Sequence, residues 1–264
     1  MSGLRYLSQA PQDYIAFVDL DEKIFAAGSI TGEVVIYNND ESVCNVVQMG
    51  GFIMDGAVSE GLVYLLMEDG VRNIKGDLMM AVTGGKNICI SDGVIMVAHE
   101  NGISSSDGWN DILNDVQCIE WNSGWLIAGL GDKVRIYKGK TFWREEPIGF
   151  QFAVMTKIAL LSGPGAPLEF AVGGVEGKVF VSTGFIFKTN RAVLSLCSAS
   201  PNNFLVTDGA VWDLNTRRRI SRLPFYGSHC AFHGGLILMA ICDTSAKNSL
   251  EPSQPSKLVL FHVP

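Results

Sequence analysis

The sequence predicts an all-β fold, a seven-bladed WD40-type β-propeller that occupies residues 1–264 as a single domain. Three observations support this prediction: a strand–turn–strand unit recurs along the chain, its apolar residues alternate with period two, and helical periodicity is nearly absent. The copies are spaced by roughly 30 to 45 residues, which is the repeat length of a four-stranded propeller blade. We therefore expect each copy to supply the two central strands of one blade, half-buried and joined by a tight turn.

The copies follow one another along the whole chain. They span residues 24–38, 62–76, 95–107, 126–138, 170–181, 204–215 and 236–263. The last copy is split by a polar insertion at 244–256, which we expect to be mobile. The dipeptide Trp212-Asp213 occurs where WD repeats carry their signature pair. A pair of β-sandwiches would also give many short strands, but the regular spacing and the lack of a linker-like stretch favour the propeller.

Composition and charge limit the classes of function. The net charge of −7 argues against general binding of nucleic acid or anionic membranes by the whole surface. We find no signal peptide in the first residues and no apolar run that approaches the roughly 18 residues needed to span a bilayer. The cysteines have no CxxC spacing, so we expect all of them to be buried free thiols: Cys44, Cys89, Cys118, Cys197, Cys230 and Cys242.

A search for catalytic motifs is negative, so we expect a protein that is not an enzyme and that needs no cofactor. The chain has no nucleophile elbow, no P-loop and no HExxH zinc motif. Its histidines (His99, His229, His233 and His262) lack metal-ligand spacing. We expect the acidic groups Asp19/Asp21/Glu22 and Glu145/Glu146 to be solvated charges on turns. A propeller enzyme could still assemble a site from distant repeats, and its sign would be His or acidic residues lining the central channel.

Residues 170–222 form a basic sector in an otherwise acidic chain. Positions 178 to 222 contain seven basic residues and only two acidic ones. The basic residues are Lys178, Lys188, Arg191, Arg217, Arg218, Arg219 and Arg222, and the acidic residues are Asp208 and Asp213. We expect Lys178, Lys188 and Arg191 to converge on one rim of the propeller and to bind carboxylates or a phosphate there. Residues 216–219 are equally well explained as a solvated, charged turn.

The same stretch carries a resemblance to a known family. Residues 175–179, Val-Glu-Gly-Lys-Val, resemble a strand of the Bub-type spindle-checkpoint WD-repeat protein and of its sibling, the Gle/Rae-type mRNA-export factor. Residues 187–191, Phe-Lys-Thr-Asn-Arg, resemble the family's Phe-Lys/Arg-Cys-His-Arg, and residues 212–220 resemble its Trp-Asp-Leu stretch with the basic run that follows. Weaker similarity extends to residues 118–138 and 11–38. Lys178 replaces the usual arginine, and Asn190 replaces a histidine.

The resemblance implies a non-enzymatic scaffold that binds peptides on one face of the propeller. By resemblance, Lys178 stands where a basic residue meets the glutamates of a helical GLEBS motif, supplied by a checkpoint kinase or a nucleoporin. Lys188 and Arg191 stand at or near positions that read phosphorylated kinetochore repeats. We add Arg217 and Arg218 to this predicted peptide-binding set.

The implied setting is the nucleus and the kinetochore, or the cytoplasm, with a monomeric propeller acting inside a heteromeric complex. Neither sequence-specific nucleic-acid binding nor membrane binding is expected. Two alternatives stay open: the export factor, and a phosphoinositide-binding propeller. For the latter, residues 216–219 (Thr-Arg-Arg-Arg) are a poor substitute for the usual Phe-Arg-Arg-Gly.

Overall fold

A computed structural model describes residues 4–162, 166–189, 191–199, 204–207, 210–213, 215–222, 226–242 and 257–262. These residues form strands, turns and loops, so the predicted all-β class is confirmed. No helix in these ranges could cross a membrane. The polar insertion at 244–256 lies outside the described residues.

The strands of the described ranges form seven four-stranded antiparallel sheets, each of which runs from an innermost to an outermost strand. In that order, sheet 1 contains β2 (Ile15–Leu20), β3 (Ile24–Ser29), β4 (Glu33–Asn38) and β5 (Val43–Gln48). Sheet 2 contains β6 (Ile53–Ser59), β7 (Leu62–Met67), β8 (Gly70–Asn73) and β9 (Leu78–Ala81). Sheet 3 contains β10 (Gly85–Ser91), β11 (Val94–His99), β12 (Gly102–Ser105) and β13 (Asn110–Ile112).

The second half of the chain repeats this order. Sheet 4 contains β14 (Cys118–Asn122), β15 (Trp125–Gly129), β16 (Lys133–Lys138) and β17 (Thr141–Pro147). Sheet 5 contains β18 (Met155–Leu160), β19 (Phe170–Gly174), β20 (Lys178–Val181) and β21 (Phe185–Lys188). Sheet 6 contains β22 (Cys197–Ala199), β23 (Phe204–Thr207), β24 (Ala210–Asp213) and β25 (Arg218–Arg222). Sheet 7 contains β26 (Tyr226–His233), β27 (Leu236–Cys242), β28 (Lys257–His262) and β1 (Arg5–Tyr6).

The sheets close into a ring, which makes the fold a β-propeller. The innermost strand of each sheet contacts that of the next, from β2 through β6, β10, β14, β18 and β22 to β26, and β26 contacts β2. The N-terminal strand β1 pairs with β28, with Arg5 opposite Leu260 and Tyr6 opposite Val259. The first and the last described strands, β1 and β28, therefore lie side by side in sheet 7.

The seven sequence copies coincide with the second and third strands of the sheets, as expected. Their half-burial, however, was predicted wrongly. In β4, Val34, Val35, Ile36 and Tyr37 are all buried, although neighbouring side chains point to opposite faces of a sheet. The reason is that each sheet packs against a neighbour on both sides, so both faces of its middle strands lie in a core.

Polar side chains join the innermost strands of neighbouring sheets. In each case a side-chain oxygen on one innermost strand, or just before it, accepts a hydrogen bond from a backbone N–H of the next sheet. The bonds join Val58 N to Asp19 Oδ2 (2.7 Å), Ile88 N to Asp55 Oδ2 (3.0 Å), Ile119 N to Asn87 Oδ1 (2.8 Å), Met155 N to Gln117 Oε1 (2.6 Å) and Cys230 N to Ser195 Oγ (3.0 Å). These bonds satisfy backbone groups that no strand pairing reaches.

The cysteines follow the expectation with one exception. The thiols of Cys89, Cys118, Cys197 and Cys230 are buried and form no disulfide bond among the described residues. Cys44 is also free, but it is exposed, because it lies on β5, the outermost strand of sheet 1, which has no neighbour on its outer edge. The side chain of Cys242 lies outside the described part of the chain.

Candidate functional site

The ring has two faces that carry different connections. At one face the chain passes from sheet to sheet and turns from the second to the third strand of each sheet; we call it the inter-sheet face. The opposite face carries the turns between the first and second strands and between the third and fourth strands. This division follows from the antiparallel order within every sheet. It decides which of the predicted basic residues can act together.

Lys178, Lys188 and Arg191 lie on the inter-sheet face of sheet 5. Lys178 begins β20 and stands directly opposite Lys188, the last residue of β21. After β21, residues 189–191 pass close to Gly177. Thr189 N donates to Gly177 O (2.7 Å), and Thr189 Oγ1 donates to Arg191 O (2.5 Å). The backbone of Arg191 is thus held beside the start of β20.

Gly177 makes this close approach possible. Its φ is +70°, a left-handed conformation that L side chains rarely adopt. A Cβ at this position would lie 2.5 Å from Arg191 O and 3.0 Å from Thr189 O, both backbone atoms that a side-chain adjustment cannot move. The tight hairpin turn predicted at Gly177 therefore also sets the path of residues 189–191.

The ammonium of Lys178 lies over an aromatic ring instead of beside a carboxylate. Its Nζ is 4.5 Å from the centroid of Phe150, whose ring packs edge-on against Phe152. Neither Lys178 nor Lys188 forms an ion pair with any residue in the described ranges. The nearby Glu176 carboxylate accepts a hydrogen bond from Ala153 N. Two lysines thus face each other across a strand pair with no acidic partner in an ion pair.

Three apolar side chains stand exposed on the same face. Val154, Val175 and Leu194 expose 47%, 38% and 46% of their surface. Val175 N donates to Val154 O (3.1 Å), and Val193, which precedes Leu194, donates its N–H to Gly174 O (3.1 Å), so the segments that carry them are contiguous. We call the set Lys178, Lys188, Arg191, Val154, Val175 and Leu194 the basic–apolar patch.

Arg217 and Arg218 lie at the other face. Arg217, with φ +57°, is in the turn between β24 and β25, and its guanidinium carbon is 5.0 Å from the ring centroid of Phe185. Phe185 pairs with Val181 at the far end of β20, about 10 Å from Lys178 at a rise of about 3.3 Å per residue. Arg218 pairs with Asp213 beside that same turn. The structure therefore brings three predicted residues together and separates these two from them.

The Trp212-Asp213 dipeptide serves the fold. The Trp212 ring stacks on Phe187 of sheet 5 (centroids 4.8 Å apart, planes at 15°) and so joins sheets 5 and 6. The Asp213 carboxylate accepts hydrogen bonds from Asn215 N (2.9 Å) and Thr216 N (3.3 Å), which holds the turn that carries Arg217. Trp212 and Asp213 therefore hold sheets 5 and 6 together and stabilise the β24–β25 turn, and neither residue belongs to the basic–apolar patch.

The central channel contains a second cluster of charged side chains, which the sequence did not reveal. It is a cavity of about 720 Å³, lined by residues of the innermost strands. Its titratable lining includes Asp19, Asp55, Glu120, Lys157 and His229, each from a different sheet. The first strands are short and show no pattern of their own in the sequence. The signal available was that each of them is the strand directly before a repeat copy.

Two expectations about acidic residues were therefore wrong. Asp19 was expected on a solvated turn, but it lies on strand β2 and lines the channel. The expectation failed because the repeat copy begins only at residue 24, so the strand before it was not recognised. Glu145 and Glu146 lie on strand β17, where Glu145 pairs with Lys133 (2.7 Å) and Glu146 with Arg144 (2.9 Å). Asp21 does lie in a turn, which it holds by accepting from Lys23 N (2.8 Å).

Burial in the channel shifts the pKa of its groups. It raises the pKa of Asp19 from 3.8 to about 7, against the hydrogen bond from Val58 N and the charge of Lys157. Burial likewise raises the pKa of Asp55 and of Glu120, again against the charge of Lys157. Burial alone would lower the pKa of Lys157, but the carboxylates outweigh it, Glu120 most, and raise it. Lys157 is therefore an ammonium at neutral pH.

His229 completes the lining and stays neutral. Burial first, and then the charge of Lys157, lowers its pKa from 6.5 to about 4. Within the described ranges, no group of three or more His, Cys, Asp or Glu residues has an arrangement that could hold a metal ion. Acidic and His side chains thus line the channel, which is the sign expected of a propeller enzyme. The channel is a mixed-charge cavity, whereas the basic–apolar patch is an open surface.

Comparison with known proteins bears on the fold alone. No protein-family model and no curated protein matches the chain. Solved structures do match, among them the computationally designed Ika8 protein, which shares 13% sequence identity with a TM-score of 0.64 over 98% of each chain. At this identity the likeness shows that the chain has the overall fold of that protein, and it says nothing about ligands or partners.

Proposed function

We propose that this chain is a non-enzymatic, WD-repeat-type scaffold that binds an acidic, partly helical peptide on the inter-sheet face of sheets 5 and 6. The observation that carries the proposal is the basic–apolar patch. Lys178 and Lys188 face each other across the β20–β21 pair with no carboxylate in an ion pair among the described residues. Like charges placed opposite each other destabilise a strand pair, and an anionic ligand would relieve that repulsion.

The apolar members define the rest of the ligand. Val154, Val175 and Leu194 expose side chains that a helix could cover with apolar residues one turn apart, while its carboxylates reach the lysines. Lys178 presents a compact charge held over the Phe150 ring, and Arg191 can grip a carboxylate or phosphate with two parallel hydrogen bonds. An acidic amphipathic helix matches both halves of the patch.

The identity of the partner rests on the sequence resemblance. We propose a GLEBS-type motif of a checkpoint kinase, with phosphorylated kinetochore repeats as a further ligand and the nucleus and kinetochore as the place of action. The sibling assignment, an mRNA-export factor that binds a nucleoporin, uses the same patch. Affinity purification from mitotic cells separates the two: a checkpoint kinase in the eluate supports the first, and a nucleoporin without a checkpoint kinase supports the second.

The binding claim is tested by the affinity of a synthetic GLEBS-type peptide, measured by fluorescence anisotropy. Lys178→Glu should weaken binding by at least about tenfold, because a charge-assisted hydrogen bond of about 1.5–3 kcal/mol is replaced by repulsion. Leu194→Asp should weaken it as well. The matched control is Arg217→Glu, which reverses a charge on the other face. Equal affinities for the wild type and Lys178→Glu would refute the assigned site.

A further inference from the structure

The channel is a cavity whose charged groups lie outside the basic–apolar patch, although one patch residue, Leu194, is also part of its lining. Most of its polar groups are occupied by the fold. Asp19 accepts backbone N–H groups from Val58 and Leu20, and Asp55 accepts from Ile88 N and from Asn87 Nδ2 (2.5 Å). These carboxylates hold neighbouring innermost strands together, which explains their burial without a ligand.

Two charged groups on the described innermost strands hold no neighbouring strand in this way. Lys157, on β18, and Glu120, on the neighbouring β14, both line the cavity. Among the described residues, neither side chain forms a hydrogen bond or an ion pair, although each shifts the pKa of the other. An ammonium and a carboxylate therefore stand on adjacent strands, close enough to interact through space and too far apart to pair.

The charged groups around Lys157 and Glu120 limit the chemical class of ligand that the channel can bind. A simple anion on Lys157 would meet the carboxylates of Glu120, Asp55 and Asp19, and a simple cation on Glu120 would meet the ammonium of Lys157. A molecule that carries both charges avoids either repulsion and remains neutral overall. The cavity, at about 720 Å³, is within the usual size of small-molecule sites.

We propose that the channel binds a small zwitterion of the amino-acid class, with its carboxylate on Lys157 and its ammonium on Glu120. The ligand takes the place of the direct ion pair that these two residues do not make. Neutral His229, from sheet 7, adds an uncharged hydrogen-bonding group to the same cavity. The proposed contacts, Lys157 and Glu120, are not patch residues, so substitutions at these two positions test zwitterion binding without changing the charges of the basic–apolar patch.

Isothermal titration calorimetry of the full chain tests the proposal with five probes: glycine, β-alanine, 4-aminobutyrate, acetate and methylammonium. The three zwitterions differ in the distance between their ammonium and carboxylate groups, so they cover a range of separations between Lys157 and Glu120. At least one zwitterion should bind saturably with a Kd below about 10 mM and at least about tenfold tighter than acetate and methylammonium. Acetate or methylammonium binding as tightly as every zwitterion would overturn the proposal, and so would the lack of binding by any zwitterion.

Variants tie the binding to the two residues. Lys157→Met and Glu120→Gln should each weaken zwitterion binding at least about tenfold, whereas Lys138→Met, at an exposed lysine on β16, should leave the affinity unchanged. Glu120→Gln keeps the shape of the side chain, so it provides the result if Lys157→Met does not fold. Unchanged affinity in Glu120→Gln would overturn the assignment even if a zwitterion binds elsewhere.

Discussion

Lys178 and Lys188 stand directly opposite each other on β20 and β21, two like charges in register at the inter-sheet face of sheet 5. A directly opposed like-charge pair costs a sheet roughly 0.2–1 kcal/mol. The free protein thus carries a small penalty at the place where we propose that an acidic peptide binds. Stability and binding should respond in opposite directions to changes at this pair.

Lys188→Glu should therefore stabilise the free protein while weakening the peptide. The substitution turns a repulsive cross-strand pair into an attractive one, so we expect the free energy of unfolding in urea to rise by about 0.2–1 kcal/mol. The matched control is Lys138→Glu, an exposed strand lysine whose cross-strand neighbours Trp125 and Thr141 are uncharged. It should change stability by no more than about 0.5 kcal/mol. A loss of stability in Lys188→Glu would contradict this account of the pair.

Gly177→Ala should damage the patch through the backbone. The new Cβ would meet Arg191 O at 2.5 Å, so residues 189–191 must move, in addition to the cost of about 1–2 kcal/mol for a left-handed non-glycine residue. Gly184→Ala isolates the first effect, because Gly184 also has a positive φ, +81°, but nothing lies near its Cβ. We expect Gly177→Ala to be the less stable of the two in urea and to bind the peptide more weakly. Equal losses would show that the close approach is unimportant.

Asn87→Ala should loosen the ring at the innermost strands. Asn87 donates to Asp55 (2.5 Å) and accepts from Ile119 N (2.8 Å), so its removal leaves both partners without that bond. A buried polar group left unsatisfied costs about 1–3 kcal/mol, and urea unfolding measures the loss. Asn38→Ala removes an exposed side-chain bond to Ser42 (3.0 Å) and serves as the control, with an expected change within about 0.5 kcal/mol. Equal effects would argue against a joining role for Asn87.

Asp19 should make stability depend on pH. Its folded pKa of about 7 is raised above the ordinary value of 3.8, so the folded state holds its proton more tightly than the unfolded chain does. This contribution is fully present below pH 3.8 and is lost as the pH rises to about 7. The stability of Asp19→Asn relative to the wild type should therefore improve as the pH rises from 4 to 7, in thermal unfolding scans.

The comparison with the variant is needed because His229 acts in the other direction. Its folded pKa, lowered to about 4, makes the protein lose stability as the pH falls from 6.5 towards 4. That term is present in both proteins and cancels in their difference. A difference that stays constant between pH 4 and pH 7 would contradict the raised pKa of Asp19.

The sequence predicted those parts of the fold that have a local signal. The second and third strands, such as β3 and β4, are apolar runs joined by a short turn. All seven repeat copies therefore matched a pair of these strands. The first strands are different: β18 and β14 hold Lys157 and Glu120 among apolar residues, and only the packing of sheet 4 against sheet 5 brings them together. The channel cluster was missed because its members are separated along the chain by the length of a whole repeat.

The basic sector shows the opposite error. Lys178 and Arg217 belong to one charged stretch of the sequence, but they lie at different faces. The reason is that each strand carries the chain from one face to the other, and a strand such as β20 does so within four residues. A count of charges along the chain cannot detect that reversal. The position of each residue relative to its nearest turn would have separated Lys178, at the start of a third strand, from Arg217, in the turn that follows one.

The hydrogen-exchange footprint of a bound GLEBS-type peptide on the wild-type chain shows most directly whether the basic–apolar patch binds the peptide. We predict increased protection of backbone amides in residues 150–154, 174–178 and 188–194, which carry the basic–apolar patch. Residues 215–218, which form the turn between β24 and β25 at the other face and the start of β25, serve as the internal control and should exchange at the same rate with and without peptide. Protection confined to 215–218, or no change in the three patch segments at a saturating peptide concentration, would show that the peptide does not bind at the basic–apolar patch.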